Sequence, residues 1–190
     1  MKVAISGSSG QVGSALASDF RSAGYDVLKL VRRPPESNDE VCWYPEEGHI
    51  DSKSLDGVDA VVHMSGEPMA NGRWSVSRKS RIRRSRIRST HLLATTLASL
   101  KTSPSVFISA SAMGFYGDRG DEVLTETSSC GRGFLAEVAM EWEAAATPAA
   151  ESGIRTVQLR SGLVLSGQGE PLRRLVPLFR LYLGAVFGDG

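Results

Sequence analysis

This chain of 190 residues has little cysteine, and its positive and negative charges nearly balance. It also lacks long apolar runs. Its two cysteines, Cys42 and Cys130, lie far apart and outside any CxxC pair, which argues against a disulfide scaffold, a zinc ribbon and a thioredoxin-type motif. Lys plus Arg number 22 against 21 for Asp plus Glu, so no overall charge attracts nucleic acid or an anionic membrane. The N-terminal apolar run breaks at Gly7 and is too short for a signal peptide or a membrane span. We therefore expect a cytoplasmic protein without a metal site, a nucleic-acid partner or a membrane partner.

Short apolar strands alternate with helical segments along the chain. Apolar runs bounded by glycine, proline or polar residues predict strands at 2–6, 27–31, 41–43, 60–64, 106–108 and 156–159. Apolar residues at helical spacing predict helices at 14–23, 76–100, 134–148 and 171–183. Strands separated by helices in this way predict the α/β class, with a Rossmann-type doubly wound parallel sheet covered on both faces.

The stretch SGSSGQVG places three glycines at the GxxGxxG spacing, between the first strand and the first helix. Glycines there permit a tight turn and let backbone N–H groups approach a pyrophosphate, which lies against the positive end of the helix. A flexible surface turn is the alternative, but the strand before and the helix after favour dinucleotide binding. The predicted contacts to the cofactor in this stretch are Gly7, Ser9, Gly10, Gln11, Val12 and Gly13.

Two arginines, Arg32 and Arg33, follow the second predicted strand. An enzyme that uses NAD carries an acid at this position to bind the ribose hydroxyls, whereas arginine suits the 2′-phosphate of NADP because guanidinium makes planar contacts with phosphate. Asp26 lies before the strand and Glu36 lies too far beyond it to bind ribose. A solvated basic turn is the alternative interpretation. The arginine pair predicts NADP(H) as the cofactor.

Six stretches spread over the chain form a recognisable set: SGSSGQVG, HMSGEP, RKSRIRRSR, SASAMGFYGDRGDEVLTE, FLAEVAMEWEAAA and LRSGLVLSGQG. Together they resemble the atypical extended short-chain dehydrogenase/reductases, in particular their epimerase-like family. The resemblance implies a chain about half as long again, with a C-terminal substrate-binding part. We therefore expect 1–190 to be an NAD(P)-binding Rossmann domain that is cut at the start of the substrate-binding region, at about 161–190.

The resemblance also implies where the chemistry lies. In an active short-chain dehydrogenase a serine binds the substrate carbonyl, and a tyrosine passes the proton while a lysine four residues later lowers the tyrosine pKa. The serine is assigned to Ser111, with Ser109 as the neighbouring candidate, although either serine could instead cap the strand end. The tyrosine and lysine positions hold Phe134 and Val138. Tyr116 is the best remaining proton donor. The alternative is that Tyr116 only packs beside the cofactor as an aromatic side chain.

Polar residues near other predicted strand ends complete the cofactor site. Glu67 follows the fourth strand and is expected to bind ribose or substrate, or equally to pair with an arginine of the next helix. His63 lies among apolar residues, where a histidine is more often structural. The basic run at 78–88 is interpreted as a solvated helix face with one or two arginines toward the cleft. The remaining predicted cofactor-binding residues are Ser65, Gly66, Glu67, Ser109 and Arg160.

Two functions are consistent with these features. The first is an NADP-dependent oxidoreductase or epimerase-like enzyme that acts on an unknown small molecule, phosphorylated and nucleotide-linked substrates included. The second is a non-catalytic NADP-binding sensor or scaffold, because the Tyr-x-x-x-Lys pair is replaced by Phe134 and Val138.

Overall fold

Strands and helices alternate through the computed structural model, which describes residues 1–69, 72–166 and 170–184. The strands are β1 (Lys2–Ser6), β2 (Asp26–Val31), β3 (Glu40–Tyr44), β4 (His49–Ile50), β5 (Ala60–His63), β6 (Val106–Ala112) and β7 (Arg155–Ser161). The helices are α1 (Gln11–Ser22), α2 (Val76–Ala98), α3 (Phe134–Ala144), α4 (Thr147–Glu151) and α5 (Glu170–Arg180), with short 3-10 turns at Ser52–Leu55 and Met113–Tyr116. The glycine-rich end of the chain, 185–190, lies outside the described residues.

One sheet joins the described strands in the order β4-β3-β2-β1-β5-β6-β7. All neighbouring pairs are parallel except β3 and β4, which are antiparallel. The chain leaves β1 toward β2 on one side and later returns to place β5 on its other side, so the strand order reverses between β1 and β5. This is the switch point at which doubly wound sheets bind ligands, beyond the carboxyl ends of the strands. The predicted Rossmann-type fold is confirmed.

Helices bury both faces of the sheet because side chains alternate along each strand. In β1, Val3 and Ile5 pack with Ala17 of α1 on one face. Ala4 faces the opposite way, into a core that includes Leu93 and Leu97 of α2. Across the described ranges, no helix has both the length and the apolar character that a membrane span requires.

Three elements differ from the sequence prediction. The two-residue strand β4 was not expected, since His49–Ile50 has no apolar run of its own and is ordered by pairing with β3. The predicted helix 134–148 is two helices, and Pro148 lies in the first turn of α4, where its missing N–H is tolerated. The small-residue stretch that follows the predicted fifth strand belongs to β6, which pairs with β7 as far as Ala112.

His63, the last residue of β5, is a fully buried structural group. Its Nδ1 lies 2.6 Å from the Ser6 hydroxyl, and its Nε2 lies 3.1 Å from the Ser89 hydroxyl. Ser89 donates its own proton to the Ser85 carbonyl, so Nε2–H donates to Ser89 and Nδ1 accepts from Ser6. Burial lowers the pKa of His63 from 6.5 to about 3, which keeps the ring neutral near pH 7.

Acid is expected to destabilise the fold through His63. The unfolded chain protonates this histidine below pH 6.5, while the folded chain does not until about pH 3. Protonation therefore favours the unfolded chain, and the free energy of unfolding decreases as the pH falls between those values. The loss amounts to about 2 kcal/mol of unfolding free energy at pH 5. Urea unfolding at pH 7 and pH 5 measures it, and His63→Asn should remove about 2 kcal/mol of the difference between the two pH values. The exposed His91 is the matched control, and a His91→Gln change that removed as much would contradict this assignment.

Candidate functional site

A cleft of about 410 Å³ opens at the carboxyl ends of the central strands. It lies between the glycine loop after β1, the segments after β5 and β7, the end of β6 and the inner face of α3. Its lining residues are Gly7, Gly10, Gln11, Val12, Gly13, Met64, Met69, Arg86, Ala110, Ser111, Ala112, Gly114, Leu135, Val138, Ala139, Trp142, Ser161 and Gly162.

The glycine loop is a tight turn that admits no side chain at two of its positions. Gly7 has a positive φ of 73°, and a Cβ there would lie 2.8 Å from the Met64 carbonyl carbon. A Cβ at Gly13 would lie 2.2 Å from the Gly7 carbonyl oxygen, because α1 packs directly on the loop. The Gly10 N–H donates to the same oxygen over 2.9 Å and closes the turn.

The N-terminus of α1 faces the cleft as an anion-binding end. Gly10 is its N-cap residue and supplies no side-chain hydrogen bond, and the first turn contains no acid. Backbone N–H groups of this turn are therefore left for a ligand, and the helix dipole favours a negative charge there. Gln11 and Val12 both line the cleft, and Gln11 Nε2 donates to the Val164 carbonyl over 3.2 Å. Ser9 is exposed on the loop and does not line the cleft.

The two arginines after β2 differ in their surroundings. Arg33 forms a bidentate pair with Glu40, with Nη1–Oε2 and Nη2–Oε1 distances of 2.8 Å, and lies 3.3 Å from Glu36. These contacts raise the pKa of Arg33 and lower that of Glu40. Arg32 is exposed, and in the described part of the chain it forms no ion pair. Of the predicted pair, Arg32 is thus the arginine whose charge is available to a phosphate.

The segment after β5 runs beside the cleft without lining it at the predicted positions. Glu67 pairs with Arg78 at 3.4 Å and with Arg81 at 3.9 Å, which is the second alternative drawn from the sequence. Gly66 packs against Arg86, and a Cβ at Gly66 would lie 3.2 Å from the Arg86 Cζ atom. Ser65 is half-buried. Ser65, Gly66 and Glu67 are all absent from the cleft lining that the structure describes.

The two serines of β6 occupy different environments. Ser111 lines the cleft at the end of the strand, and its hydroxyl donates to Glu143 Oε1 over 2.6 Å. Ser109 is fully buried, and its hydroxyl lies 3.3 Å from the Ala110 carbonyl. The structure therefore brings Ser111 to the cleft, whereas Ser109 lies beneath it.

Ser111, Tyr116 and Arg160 are joined through Glu143, which sequence reasoning did not identify. Arg160 holds Glu143 with Nε–Oε1 and Nη2–Oε2 distances of 2.8 Å, and its Nη1 donates to the Tyr116 hydroxyl over 2.9 Å. The Arg160 guanidinium also stacks on Phe115 at 3.5 Å from the ring centroid. Tyr116 is buried, and neither it nor Arg160 lines the cleft. These residues form one polar network behind Ser111.

The charge of this network is fixed at neutral pH. Burial raises the pKa of Glu143, but the hydrogen bonds from Arg160 and Ser111 outweigh burial, so the net pKa lies below its usual value. The hydrogen bond to Glu143 raises the pKa of Arg160. Glu143 is therefore a carboxylate that accepts a hydrogen bond from Ser111, and it is a weak base.

The positions of the missing tyrosine and lysine form part of an apolar helix. Phe134 packs against Trp74, with ring centroids 5.7 Å apart, and does not line the cleft. Val138 lines the cleft together with Leu135 and Trp142, so this wall offers no proton donor to a ligand.

Arg86 is the charged residue among those that line the described cleft, and the sequence contains a signal for it. Arg86 lies four residues after the buried Ile82 and so shares the buried stripe of α2.

Comparison with known proteins shows the relationships of the chain. An epimerase family protein of Mycobacterium bovis is 46% identical over 188 residues, which cover 99% of this chain and 62% of that protein. A nucleoside-diphosphate sugar epimerase of Corynebacterium glutamicum has a solved structure with a TM-score of 0.85 and 43% identity, covering 100% of this chain and 39% of that one. The human epimerase family protein SDR39U1, crystallised with NADPH, has a TM-score of 0.87 and 28% identity, covering 100% and 63%.

The chain thus spans less than two thirds of the length of these relatives. The family model of the "NAD dependent epimerase/dehydratase family" matches residues 3–182. This match agrees with the glycine loop, the doubly wound sheet and the cleft at its switch point. The chain belongs to the NAD dependent epimerase/dehydratase family.

Proposed function

We propose that this chain binds NADP(H) in the cleft and acts as an oxidoreductase or epimerase-like enzyme on a small-molecule substrate. The observation that carries the proposal is the glycine loop, where Gly7 and Gly13 leave the uncapped N-terminus of α1 open to a phosphate. The human relative that was crystallised with NADPH shares the fold over the whole chain. Cys42 and Cys130 are free thiols, which supports the cytoplasmic location that we propose.

The residues of the cleft fit such a cofactor. The backbone around Gly7, Gly10 and Gly13 would hold its pyrophosphate against α1. Glycine is required at Gly7 and Gly13 because a side chain there would collide with backbone atoms. Arg32 would hold a 2′-phosphate at the end of β2, where no acid occupies the ribose position. The cofactor, when bound, supplies hydride-transfer chemistry.

Ser111 would orient the substrate oxygen. Its hydroxyl donates a hydrogen bond to the ionised Glu143, so the lone pairs of the hydroxyl oxygen remain available to a ligand in the cleft. Ser111 in this arrangement accepts a hydrogen bond from a substrate hydroxyl. Donation to a carbonyl requires the hydroxyl to turn away from Glu143.

Arg32→Ala is expected to weaken NADPH binding about 30-fold and to change NADH binding little, because a charge-assisted contact to the 2′-phosphate is lost. Isothermal titration of both cofactors into the parent and the variant measures the effect. Arg33→Ala is the matched comparison, and a smaller loss is expected because Glu40 and Glu36 already neutralise Arg33. Equal affinity for NADPH and NADH, unchanged by Arg32→Ala, would contradict the NADP assignment.

A non-catalytic NADP(H) sensor or scaffold is the second candidate, and the apolar α3 wall favours it. Phe134 and Val138 replace the proton-transferring pair, and the Tyr116 hydroxyl is bound to Arg160 away from the cleft. Turnover of NADPH with any carbonyl compound, lost in Ser111→Ala, excludes this candidate. Cofactor-dependent stabilisation without turnover across a broad screen supports it.

A further inference from the structure

Arg86 is a buried charge in the cleft that cofactor binding at the glycine loop leaves unexplained. Its residue surface is 8% exposed, and of the described residues that line the cleft it alone has an ionisable side chain. It lies in the middle of α2 and reaches the cleft beside the apolar wall of α3.

The surroundings of Arg86 hold the guanidinium in one place. Nη1 donates to the Glu67 carbonyl over 3.1 Å and to the Ile82 carbonyl over 3.2 Å. The Arg86 Cζ atom lies 5.2 Å from the ring centroid of Trp142, and Trp142 is itself held by a 2.8 Å hydrogen bond from Nε1 to Thr90. The absent side chain of Gly66 leaves the space that the guanidinium fills.

One edge of this guanidinium has no hydrogen-bond partner among the described residues. Both bonds of Arg86 come from Nη1, which leaves the N–H groups of Nε and Nη2. Another arginine of this protein binds a carboxylate through the same two atoms, since Arg160 donates to Glu143 from Nε and Nη2. Arg83 binds Glu141 through these two atoms as well. The free edge of Arg86 is therefore the fork that matches a carboxylate or a phosphate.

The charge of Arg86 also lacks a counterion within ion-pair distance in the described part of the chain. Glu67, the nearest acid along this segment, is directed to Arg78 and Arg81. Burial lowers the pKa of Arg86, and Glu67 offsets only part of that effect. A buried cation without a partner is costly, and an anionic ligand would remove that cost.

We propose that Arg86 binds an anionic head group, carboxylate or phosphate, of the substrate, whose apolar body lies against Leu135, Val138 and Trp142. This inference rests on the proposed function and assigns a substrate class to the same cleft. The apolar wall suits a carbon skeleton, and Ser111 lines the same cleft as the acceptor for a substrate hydroxyl. The cofactor phosphates have their own site at the N-terminus of α1, so the anion at Arg86 comes from the substrate. The predicted substrates are hydroxy or oxo acids and their phosphate analogues.

Benzoylformate and its neutral methyl ester test the inference, because they share a carbonyl and an aromatic body and differ in the carboxylate. Each is titrated calorimetrically into the chain saturated with NADP⁺, since two oxidised partners cannot exchange hydride. The acid should bind the parent about 30-fold more tightly than the ester, and Arg86→Gln should abolish that preference. Arg86→Lys keeps the charge without the fork and should retain part of it. Arg84→Gln, an exposed arginine on the same helix, is the matched control and should retain all of it.

The outcomes separate the possible sources of the anion. Benzoylformate that binds Arg86→Gln as tightly as the parent, or a parent without preference for the acid, overturns the inference. It is also overturned if Arg86→Gln weakens NADP⁺ itself about 30-fold, since the anion would then belong to the cofactor. Melting temperatures of all variants identify any that are unfolded, and Arg86→Lys then carries the comparison. If the parent fails to bind NADP⁺, the proposed function fails, and the acid and ester titrated into the cofactor-free chain still test Arg86.

Discussion

Gly13→Ala is expected to weaken NADPH binding at least about 100-fold and to lower the free energy of unfolding by about 2 kcal/mol. The added Cβ would lie 2.2 Å from the Gly7 carbonyl oxygen and 2.8 Å from the Gly7 carbonyl carbon. Both are backbone atoms, so the clash is not relieved by turning a side chain. Either α1 moves away from the loop or the loop unfolds, and both changes displace the N–H groups that would hold the pyrophosphate.

Gly10→Ala is the matched comparison for this prediction. Its Cβ would lie 3.2 Å from the same Gly7 oxygen, and Gly10 has an ordinary extended backbone with φ −80°. A loss of affinity within about tenfold is expected there, because the loop needs to shift by only a few tenths of an ångström. NADPH fluorescence titration gives the affinities and urea unfolding gives the stabilities. Normal NADPH binding by Gly13→Ala, or an equal loss in both variants, would show that cofactor binding does not depend on the close packing of Gly13 against the Gly7 carbonyl.

The fold could be predicted because its signals are local in the sequence. The apolar run of β1, the glycines after it and the amphipathic α1 lie within the first 22 residues. Each follows from a short-range rule of strand, turn or helix chemistry. β4 could not be predicted in this way, because its two residues are ordered only by pairing with β3.

The site was harder to predict because its charges are set by partners that are distant in the sequence. Arg33 appears as a free cation in the sequence, yet β3 places Glu40 against it and neutralises it. Glu143 appears as one more exposed acid of α3, yet β7 places Arg160 beside it, 17 residues later. Both outcomes depend on which strands and helices become neighbours, and local patterns do not contain that information.

The absence of the tyrosine and lysine was visible in the sequence, and the structure adds what stands in their place. Val138 belongs to an apolar wall, and the polar side chains that line the described cleft, Ser111 and Arg86 among them, lie on other elements. Under the proposals above, Ser111 accepts a hydrogen bond from the substrate and Arg86 binds its anionic group. On that proposal, a substrate that carries its own acidic group suits the cleft better than a neutral sugar does.

Glu143→Gln is expected to lower the free energy of unfolding by about 3 kcal/mol at pH 7. The side chains of Glu143 and Arg160 are 15% and 18% exposed, so the change leaves a largely buried guanidinium without its counterion. It also leaves one amide oxygen to accept from both Ser111 and Arg160, where the carboxylate has two. Urea unfolding measures the effect, and pH 7 is the right condition because the pair is lost only as pH falls through the lowered pKa of Glu143.

The same helix offers a matched control in Glu141, which forms the same type of two-point pair with Arg83 near the surface. That pair is 33% and 42% exposed, and Glu141→Gln should therefore cost less than about 1 kcal/mol. A cycle that combines Glu143→Gln with Arg160→Met should show coupling of about 2 kcal/mol, because the second change removes the charge stranded by the first. Equal losses in Glu143→Gln and Glu141→Gln, with additive effects in the cycle, would mean that the network behind Ser111 behaves as an ordinary surface ion pair. A large loss at Glu143 alone, with strong coupling to Arg160, would identify Glu143 and Arg160 as a buried ion pair that stabilises the fold next to Ser111.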